Sequence, residues 1–383
     1  MSEFSLNAIP AIHFGAGRAG KVAGDVAALS PSGKNVVLVI DGPLHQMGLS
    51  AKIEKAMTDA GITLGVFSDI AGEPHQSDVE AATDFILTAK ADVVICMGGG
   101  SAMDIGKSAA TIAPTGKGPA DFAMVADSLP GPGIPKICIP TTAGTGSELS
   151  STNIFHGENG KKHWIWSTKT KPSTVILDPE LTVSLPPHLT AWTGLDAFVH
   201  ALESCTNNWR QDGNDVYAHH ALSLISGALE TAVKEPGNLQ ARGKMLLGSA
   251  YAGISIDNCN VAMAHNISHA LAALAPIHHG FATAIGQEAI FGWQLETDDG
   301  PFTAAASACG VPLDGQGFDE WFTDLMNRCN VERRLPDAFK AFTAADLERE
   351  MLTSETAFSR DSTVRPVSDA DIARFAGDIM AMA

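Results

Sequence analysis

Two patterns of hydrophobic positions divide this chain, and the first consists of short, unbroken apolar runs. Helix-like segments around residues 49–60 and 77–90 lie between these runs. The runs themselves are NVVLVI at 35–40, LGVFSDI at 64–70, DVVICM at 92–97 and KICIPTT at 136–142. Continuous apolar strands that alternate with helices are typical of a parallel sheet covered on both faces. The first part of the chain is therefore predicted to be an α/β domain.

The second pattern begins near residue 187 and is dominated by alanine and leucine, which favour helices. Helical segments are predicted at 189–205, 214–234, 239–257 and 260–274, with further helices in the polar, periodic tail 335–383. Pro186 and Pro187 mark a natural break between the two patterns. We therefore predict an α/β domain over residues 1–186 and an all-helical domain over residues 187–383.

Length and composition agree with two soluble domains. The chain has 383 residues, more than the roughly 250–300 at which a single hydrophobic core stops growing. Its 43 acidic and 25 basic residues give a formal net charge of −18, which argues against nucleic acid and an anionic membrane surface as partners. The six cysteines lack a CxxC pair and no signal-like apolar stretch is present, so a reducing, cytoplasmic location is predicted.

A glycine-rich segment, MGGGSAMDIGK at 97–107, follows a predicted buried strand and opens a predicted helix. Glycines such as Gly98 and Gly99 let a ligand approach the backbone closely, and Ser101 is expected to cap the helix, whose N-terminus attracts phosphate. The segment fits neither GxGxxG, because Met103 occupies the third glycine position, nor the P-loop. A nucleotide site and a simple tight turn both remain open on this segment alone.

A second glycine-rich turn, IPTTAGTGSE at 139–148, follows the next predicted strand. Its hydroxyl side chains suit contact with a phosphate or a flat ring; they are Thr141, Thr142, Thr145 and Ser147. Two such turns at successive strand ends favour a nucleotide site. Asp41 ends the first strand, where a carboxylate would accept hydrogen bonds from an adenosine ribose and repel a 2′-phosphate. This position favours NAD over NADP, although an ordinary Asp-Gly turn explains Asp41 equally well.

Four histidines lie within the apolar segment HNISHALAALAPIHHG at 265–280. His265 and His269 are one helical turn apart, as are Asp196 and His200 further upstream. One carboxylate and up to three imidazoles suit Fe(II), Zn(II), Mn(II) or Co(II) rather than Ca(II) or Mg(II). A single such histidine is more often satisfied within a core. Burying several unpaired imidazoles together would be costly, so the combination favours a metal site.

Ordered motifs over nearly the whole chain resemble the iron-containing (group III) alcohol dehydrogenases, which have a dehydroquinate synthase-like fold. The motifs are FGAG at 14–17, VIDGPL at 39–44, GGGSAMDIGK at 98–107, PTTAGTGSE at 140–148, ILDPELTVSLPPHLTAWTGLDAFVHALES at 176–204 and H-x3-H-x9-HG at 265–280. The resemblance implies an α/β domain that binds NAD(P), a helical domain, and a metal ion in the cleft between them.

The resemblance also implies roles for individual residues. The metal ligands would be Asp196, His200, His265 and His279. His269 would be a non-ligand near the nicotinamide and a candidate proton relay. The cofactor residues would be Asp41, Gly98, Gly99, Ser101, Thr141, Thr142 and Thr145, with Ser147 in the same turn and with Asp104 and Lys107 at the start of the phosphate-binding helix. The chain departs from the family pattern at His278, where members often have Pro, and in the segment 363–372.

The function implied is reversible hydride transfer between a small alcohol and NAD, with Fe(II), or alternatively Zn(II), polarising the substrate oxygen. The family suggests a homodimer or larger homo-oligomer. A dehydroquinate synthase-like lyase and a non-catalytic metal- or nucleotide-binding regulator are the alternatives. The lyase needs a basic pocket, and the segments concerned are poor in Lys and Arg. Maleylacetate reductases share the fold but lack the metal-binding acid and histidines of this chain.

Overall fold

The computed structural model describes residues 3–70, 72–158, 160–312 and 317–383. Two compact units are present: Asn7–Ser184, and Leu185–Ala383 together with the segment up to Leu6. Phe4 belongs to the second unit, because its ring lies where a Cβ on Gly213 would come within 2.2 Å of it. The two units meet after Ser184, whereas the predicted domain boundary lies after residue 186. The predicted domains, 1–186 and 187–383, remain a prediction.

The first unit is built on a six-stranded parallel sheet with the strand order β1-β8-β5-β4-β2-β3. A separate antiparallel hairpin pairs β6 with β7. The strands are β1 (Ala11–Phe14), β2 (Asn35–Ile40), β3 (Thr63–Phe67), β4 (Val93–Gly98), β5 (Lys136–Pro140), β6 (Thr152–His156), β7 (Lys162–Trp166) and β8 (Thr174–Leu177).

The central strands β4 and β5 are buried along their whole length, as expected for apolar strands inside a parallel sheet, and the burial of β5 includes its first residue, Lys136. Alternate residues of β2 and β4 point into two separate cores: Val39 and Cys96 into one, Leu38 and Ile95 into the other. Helices cover both faces; they are α1 (Val22–Leu29), α2 (Gly42–Gln46), α3 (Ala51–Asp59), α4 (Gln76–Thr88), α5 (Gly100–Ile112) and α6 (Pro119–Phe122). The predicted α/β class is confirmed.

The second unit is helical, as predicted. Its helices are α7 (Pro187–Thr206), α8 (Asp212–Ser226), α9 (Leu229–Lys234), α10 (Leu239–Cys259), α11 (Met263–Leu274), α12 (His279–Leu295), α13 (Pro301–Ala308), α14 (Phe318–Arg328), α15 (Ala344–Met351), α16 (Ser354–Asp361) and α17 (Asp369–Met380).

Both units also contain short 3-10 helices. In the first unit they occupy Arg18–Lys21, Ala113–Thr115, Ala123–Val125, Thr168–Thr170 and Pro179–Thr182, and in the second unit Asp337–Ala341.

Helix α7 positions half of the candidate metal site. Pro187 occupies its first turn, where a missing N–H costs nothing, and the helix is buried on every side from Thr193 to Thr206. Its buried polar side chains include Asp196, His200 and Glu203, which are four and then three residues apart and so share one face. Among the described residues, no helix is long and apolar enough to cross a membrane.

Candidate metal centre and nucleotide-binding turns

Three helices bring one carboxylate and three imidazoles together: Asp196 and His200 from α7, His265 from α11, and His279 from the first turn of α12. One potential ligand atom from each residue lies within 4.8 Å of all the others. Oδ1 of Asp196 is 3.7–4.0 Å from Nε2 of each imidazole. We call these four residues the quartet.

Two atoms of the quartet are buried without a hydrogen-bond partner, namely Oδ1 of Asp196 and Nε2 of His265. Burial, reinforced by His200 and opposed by Asp196, lowers the pKa of His265 to about 3. His265 is therefore neutral at physiological pH, which is the form that binds metals. An unpaired buried carboxylate oxygen beside neutral imidazole nitrogens is costly on its own and suits a divalent cation. The donor set fits an Fe(II) or Zn(II) ion.

Two further side chains orient the imidazoles, and neither was predicted from the sequence. Nδ1 of His265 donates to Glu203 (2.6 Å), which also accepts the backbone N–H groups of Ala262 and Ala264, each at 2.7 Å. Nδ1 of His279 lies 2.9 Å from Oγ of Ser268. Both contacts leave Nε2 directed at Asp196. The signal for Glu203 was available, since it lies seven residues after Asp196 on the same face of α7.

Glycine is required at position 280, immediately after the last member of the quartet. A Cβ on Gly280 would lie 2.4 Å from the backbone oxygen of Trp192 and 3.1 Å from Cβ of Asp196. The absence of a side chain therefore lets the start of α12 approach α7 closely enough for His279 to meet Asp196. The HG pair of the sequence motif has this steric explanation.

His269 lies beside the quartet without belonging to it. Its ring centroid is 5.6 Å from that of His279 and 6.5 Å from that of His265, whereas the stacked rings of His200 and His265 are 4.7 Å apart. His269 is partly exposed, unlike His265, which is buried. The three imidazoles of the quartet lie within 4.0 Å of Asp196 Oδ1, and His269 remains a predicted non-ligand beside them.

The predicted nucleotide residues form a second cluster in the α/β unit, centred on Asp41 and Gly98. Gly98 has a φ of +147°, and a Cβ there would lie 2.3 Å from Oδ2 of Asp41 and 2.8 Å from Cβ of Ala102. Glycine is therefore needed at this position. The carboxylate of Asp41 accepts a hydrogen bond from the N–H of Gly99, and burial nevertheless raises its pKa to about 6. Asp41 is thus ionised at neutral pH.

The two glycine-rich turns contact each other. The N–H of Thr141 donates to the carbonyl of Gly98 at 2.9 Å. Positions for a Cβ on Gly99 and Gly100 lie 3.7 Å from Thr142 and 3.0 Å from Thr145, respectively. The partly exposed predicted residues at this junction are Asp41, Gly99, Ser101, Thr142 and Thr145. They surround the free N-terminus of α5, which suits a phosphate group.

Ser101 does not cap helix α5, contrary to the prediction. The helix begins at Gly100, the capping position is Gly99, and no side chain accepts a hydrogen bond there. Ser101 lies in the first turn instead. The backbone N–H groups of this turn therefore stay available to a ligand.

Lys107 is directed into the protein, which differs from the expected position at a phosphate. Its side chain is fully buried, and Nζ donates to the backbone carbonyls of Ser147, Ser150 and Thr152 at 2.7, 3.2 and 3.3 Å. An ammonium group has three N–H donors, so none remains for a cofactor. Lys107 therefore fastens the second turn to α5.

Asp104 and Ser147 have the same internal function. Ser147 Oγ donates to Asp104 Oδ1 at 2.5 Å, and the N–H of Ile154 donates to Oδ2 at 3.0 Å. Nζ of Lys107 lies 3.7 Å from Oδ1, whereas burial raises the pKa of Asp104. These contacts join the two turns into one unit. They support the predicted nucleotide residues from inside the protein.

Two family models match this chain, one in each unit. A family model described as iron-containing alcohol dehydrogenase matches residues 10–179. A second model, described as the C-terminal part of the Fe-containing alcohol dehydrogenase family, matches residues 190–340. The two matches together cover most of both units.

Individual relatives support the same assignment. The chain is 32% identical to sulfoacetaldehyde reductase of Bilophila wadsworthia over 309 residues, 78% of this chain and 80% of that protein. It is 34% identical to long-chain-alcohol dehydrogenase 1 of Geobacillus thermodenitrificans over 278 residues, 72% and 70% of the two chains. Sulfoacetaldehyde reductase of Bifidobacterium kashiwanohense, crystallised in complex with NAD+, matches with a TM-score of 0.90 at 29% identity and 100% coverage of both chains. The predicted family is confirmed: this chain belongs to the iron-containing alcohol dehydrogenases.

Proposed function

We propose that the protein interconverts a small alcohol and its aldehyde or ketone, using NAD in preference to NADP. Two electrons and one proton leave the alcohol carbon as hydride and reduce NAD+ to NADH, while the hydroxyl proton is released to solvent. The observation that carries this proposal is the quartet, with its buried, unpartnered Asp196 and His265 atoms. It occurs in a chain whose α/β unit presents two joined glycine-rich turns.

The quartet would hold Fe(II), or alternatively Zn(II), through Asp196, His200, His265 and His279. When bound, this ion supplies Lewis acidity that lowers the pKa of the alcohol or polarises the carbonyl. Glu203 and Ser268 contribute orientation, because each fixes Nδ1 of an imidazole and leaves Nε2 for the ion. Glu203 and Ser268 are both buried, so water does not compete for their contacts with the imidazoles.

We propose His269 as the residue that moves the hydroxyl proton. Its ring lies next to His279, is partly exposed, and is not among the four residues that would hold the ion. An imidazole accepts and releases protons near neutral pH, which suits a relay between substrate and solvent. Its replacement should slow turnover and leave metal content unchanged.

The cofactor would bind at the joined turns. Asp41 would accept hydrogen bonds from an adenosine ribose and, when ionised, would repel a 2′-phosphate. The N-terminal N–H groups of α5 would hold the pyrophosphate, next to Gly98, Gly99, Ser101, Thr141, Thr142 and Thr145. Asp104, Lys107 and Ser147 would act from behind this surface. A cytoplasmic homodimer or larger homo-oligomer is part of the same proposal.

The decisive experiment combines metal analysis with turnover. Protein purified without oxygen should contain about one Fe(II) per chain and should oxidise NADH, more efficiently than NADPH, in the presence of aldehydes or ketones. Asp196→Ala should remove metal and turnover together. Full activity of the metal-free variant would refute the proposal, whereas aldehyde-independent turnover without net NADH consumption would favour the lyase.

A further inference from the structure

Four aromatic side chains form a cluster beside the quartet: His188, Trp192, His278 and Phe281. The Trp192 ring lies at their centre, with its centroid 5.1 Å from those of His188 and His278 and 5.4 Å from that of Phe281. None of the four belongs to the quartet. This aromatic cluster lies wholly within the helical unit.

The position of the cluster is set by two residues of the quartet. Trp192 precedes Asp196 by four residues on α7, so the two side chains share one face of the helix. His278 directly precedes His279 at the start of α12. Close packing of Gly280 against the Trp192 backbone holds these two helices together at this point. Trp192 and His278 therefore lie close in sequence to Asp196 and His279, on the two helices α7 and α12 that carry them.

The pair is built as a fixed and partly exposed surface. Trp192 and His278 are each partly exposed, whereas Phe281, which packs against Trp192, is 5% exposed. The three rings around Trp192 cross it at 41–73°, so its orientation is held from several sides. A large ring held in this way occupies space rather than yielding to a ligand.

We propose that Trp192 and His278 form the wall that limits the size of the group on the reacting carbon. The protein therefore takes short, unbranched aliphatic aldehydes and the corresponding alcohols. This inference rests on the proposed function, since it concerns the substrate of that same site. The proposal also explains why bulky side chains occupy positions 192 and 278, although the geometry of Asp196 and His279 does not require bulky neighbours.

The test compares kcat/KM for propanal and hexanal in the metal-loaded wild type and in Trp192→Ala. The wild type should prefer propanal, and the substitution should raise the hexanal-to-propanal ratio at least tenfold, because a few methylene groups in an apolar site are worth that much discrimination. Trp209→Ala is the matched control, since Trp209 is 60% exposed and outside the aromatic cluster. It should leave the ratio unchanged.

A second variant, His278→Pro, tests the same proposal if Trp192→Ala does not fold. His278 has φ −65°, which proline adopts without strain, so the imidazole is removed while the backbone is kept. The ratio should shift in the same direction by a smaller factor. Metal content and NADH binding, measured for every variant, should equal those of the wild type.

The outcomes separate the wall from the function on which it depends. An unchanged ratio in both variants with full metal content overturns the wall and leaves the proposed function standing. If the wild type prefers a charged aldehyde such as sulfoacetaldehyde and His278→Pro loses this preference, the wall is overturned in favour of an anion site. Failure of the wild type to reduce any aldehyde overturns both proposals.

Discussion

Glu203 is the side chain on which the geometry of His265 depends most. Oε2 accepts from both His265 Nδ1 and the N–H of Ala262, and Oε1 accepts from the N–H of Ala264. One buried carboxylate thus fixes an imidazole and also holds the first turn of α11. Because all three partners are donors, only an acceptor with two oxygens satisfies them.

Replacement of Glu203 by Gln should weaken metal binding by about 10–100-fold, the usual effect of losing such a supporting group. In either orientation, the amide NH2 of Gln faces at least one N–H donor, so His265 loses its alignment. Chelator competition measures the metal affinity. Glu230→Gln is the matched control, because Glu230 makes only half-exposed ion pairs with Lys234 and Arg328. Equal metal affinity in Glu203→Gln and wild type would contradict this function.

Asp41 should make the choice between NADH and NADPH depend on pH. Burial raises its pKa to about 6, so the group is largely ionised at pH 8 and largely neutral at pH 5. Repulsion of the 2′-phosphate is therefore present above pH 6 and lost below it. The ratio of kcat/KM for NADH over NADPH should fall several-fold from pH 8 to pH 5.

The matched control for this pH effect is Asp41→Asn, which carries no charge at either pH. It should show a lower ratio of kcat/KM for NADH over NADPH at pH 8. Ionisation of the 2′-phosphate itself also occurs near pH 6 and is the only pH dependence that this variant should retain. Identical pH profiles for wild type and variant would contradict the assignment of Asp41.

Some residues of the candidate sites could be predicted from the sequence, and others could not. Asp196, His200 and His265 were recognisable because helical spacing and burial in an apolar segment are local properties. Glu203 and Ser268 were missed because their importance arises from contacts between helices. Lys107 was misplaced for the same reason: its position after a glycine-rich turn suggests a phosphate ligand, whereas its three acceptors lie 40, 43 and 45 residues further along the chain.

Helix α5 and the second glycine-rich turn behave as one element because Lys107 joins them. Removal of one member of such a buried network is strongly destabilising, because its partners are left buried and unpaired. Lys107→Met should lower the free energy of unfolding by about 3 kcal/mol, since it strands three buried carbonyls and leaves Asp104 without its cation.

Urea unfolding measures this loss. Lys55→Met provides the control, because the 75% exposed Lys55 pairs only with Asp59 within α3, and such pairs contribute about 0.5 kcal/mol or less. If Lys107→Met were as stable as Lys55→Met, the buried network would not be what joins the two turns. Dinucleotide affinity should fall in Lys107→Met and remain unchanged in Lys55→Met.

Elements were predictable where their patterns were long. The strands β2, β4 and β5 and the helices from α7 to α11 follow from continuous apolar runs and from alanine- and leucine-rich segments. The strands β1 and β8 were missed because each has only four residues. The hairpin of β6 and β7 was missed because its strands are short and only half-buried, so their periodicity is weak.

Metal and dinucleotide should each stabilise a different structural unit of the molecule. Fe(II) or Zn(II) at about one hundred times its Kd should stabilise the unit that holds the quartet by about 2.7 kcal/mol. Hydrogen exchange should then slow in α7, α11 and α12. NADH should instead slow exchange in α5 and the neighbouring turns.

Asp196→Ala separates the two responses. The substitution removes the only carboxylate of the quartet, so protection by metal should disappear while protection by NADH is retained. Protection of α11 by metal in this variant would show that the ion binds elsewhere.

The packing of Phe4 against Gly213 has a consequence for synthesis of the chain. The α/β unit, Asn7–Ser184, is complete before any residue of α7 leaves the ribosome, yet the contact of Phe4 with Gly213 cannot form until α8 follows. At about 5–20 residues per second, Phe4 waits several seconds or more for this contact. A bulky fusion placed directly before Phe4 would therefore interfere with the last unit to fold rather than the first.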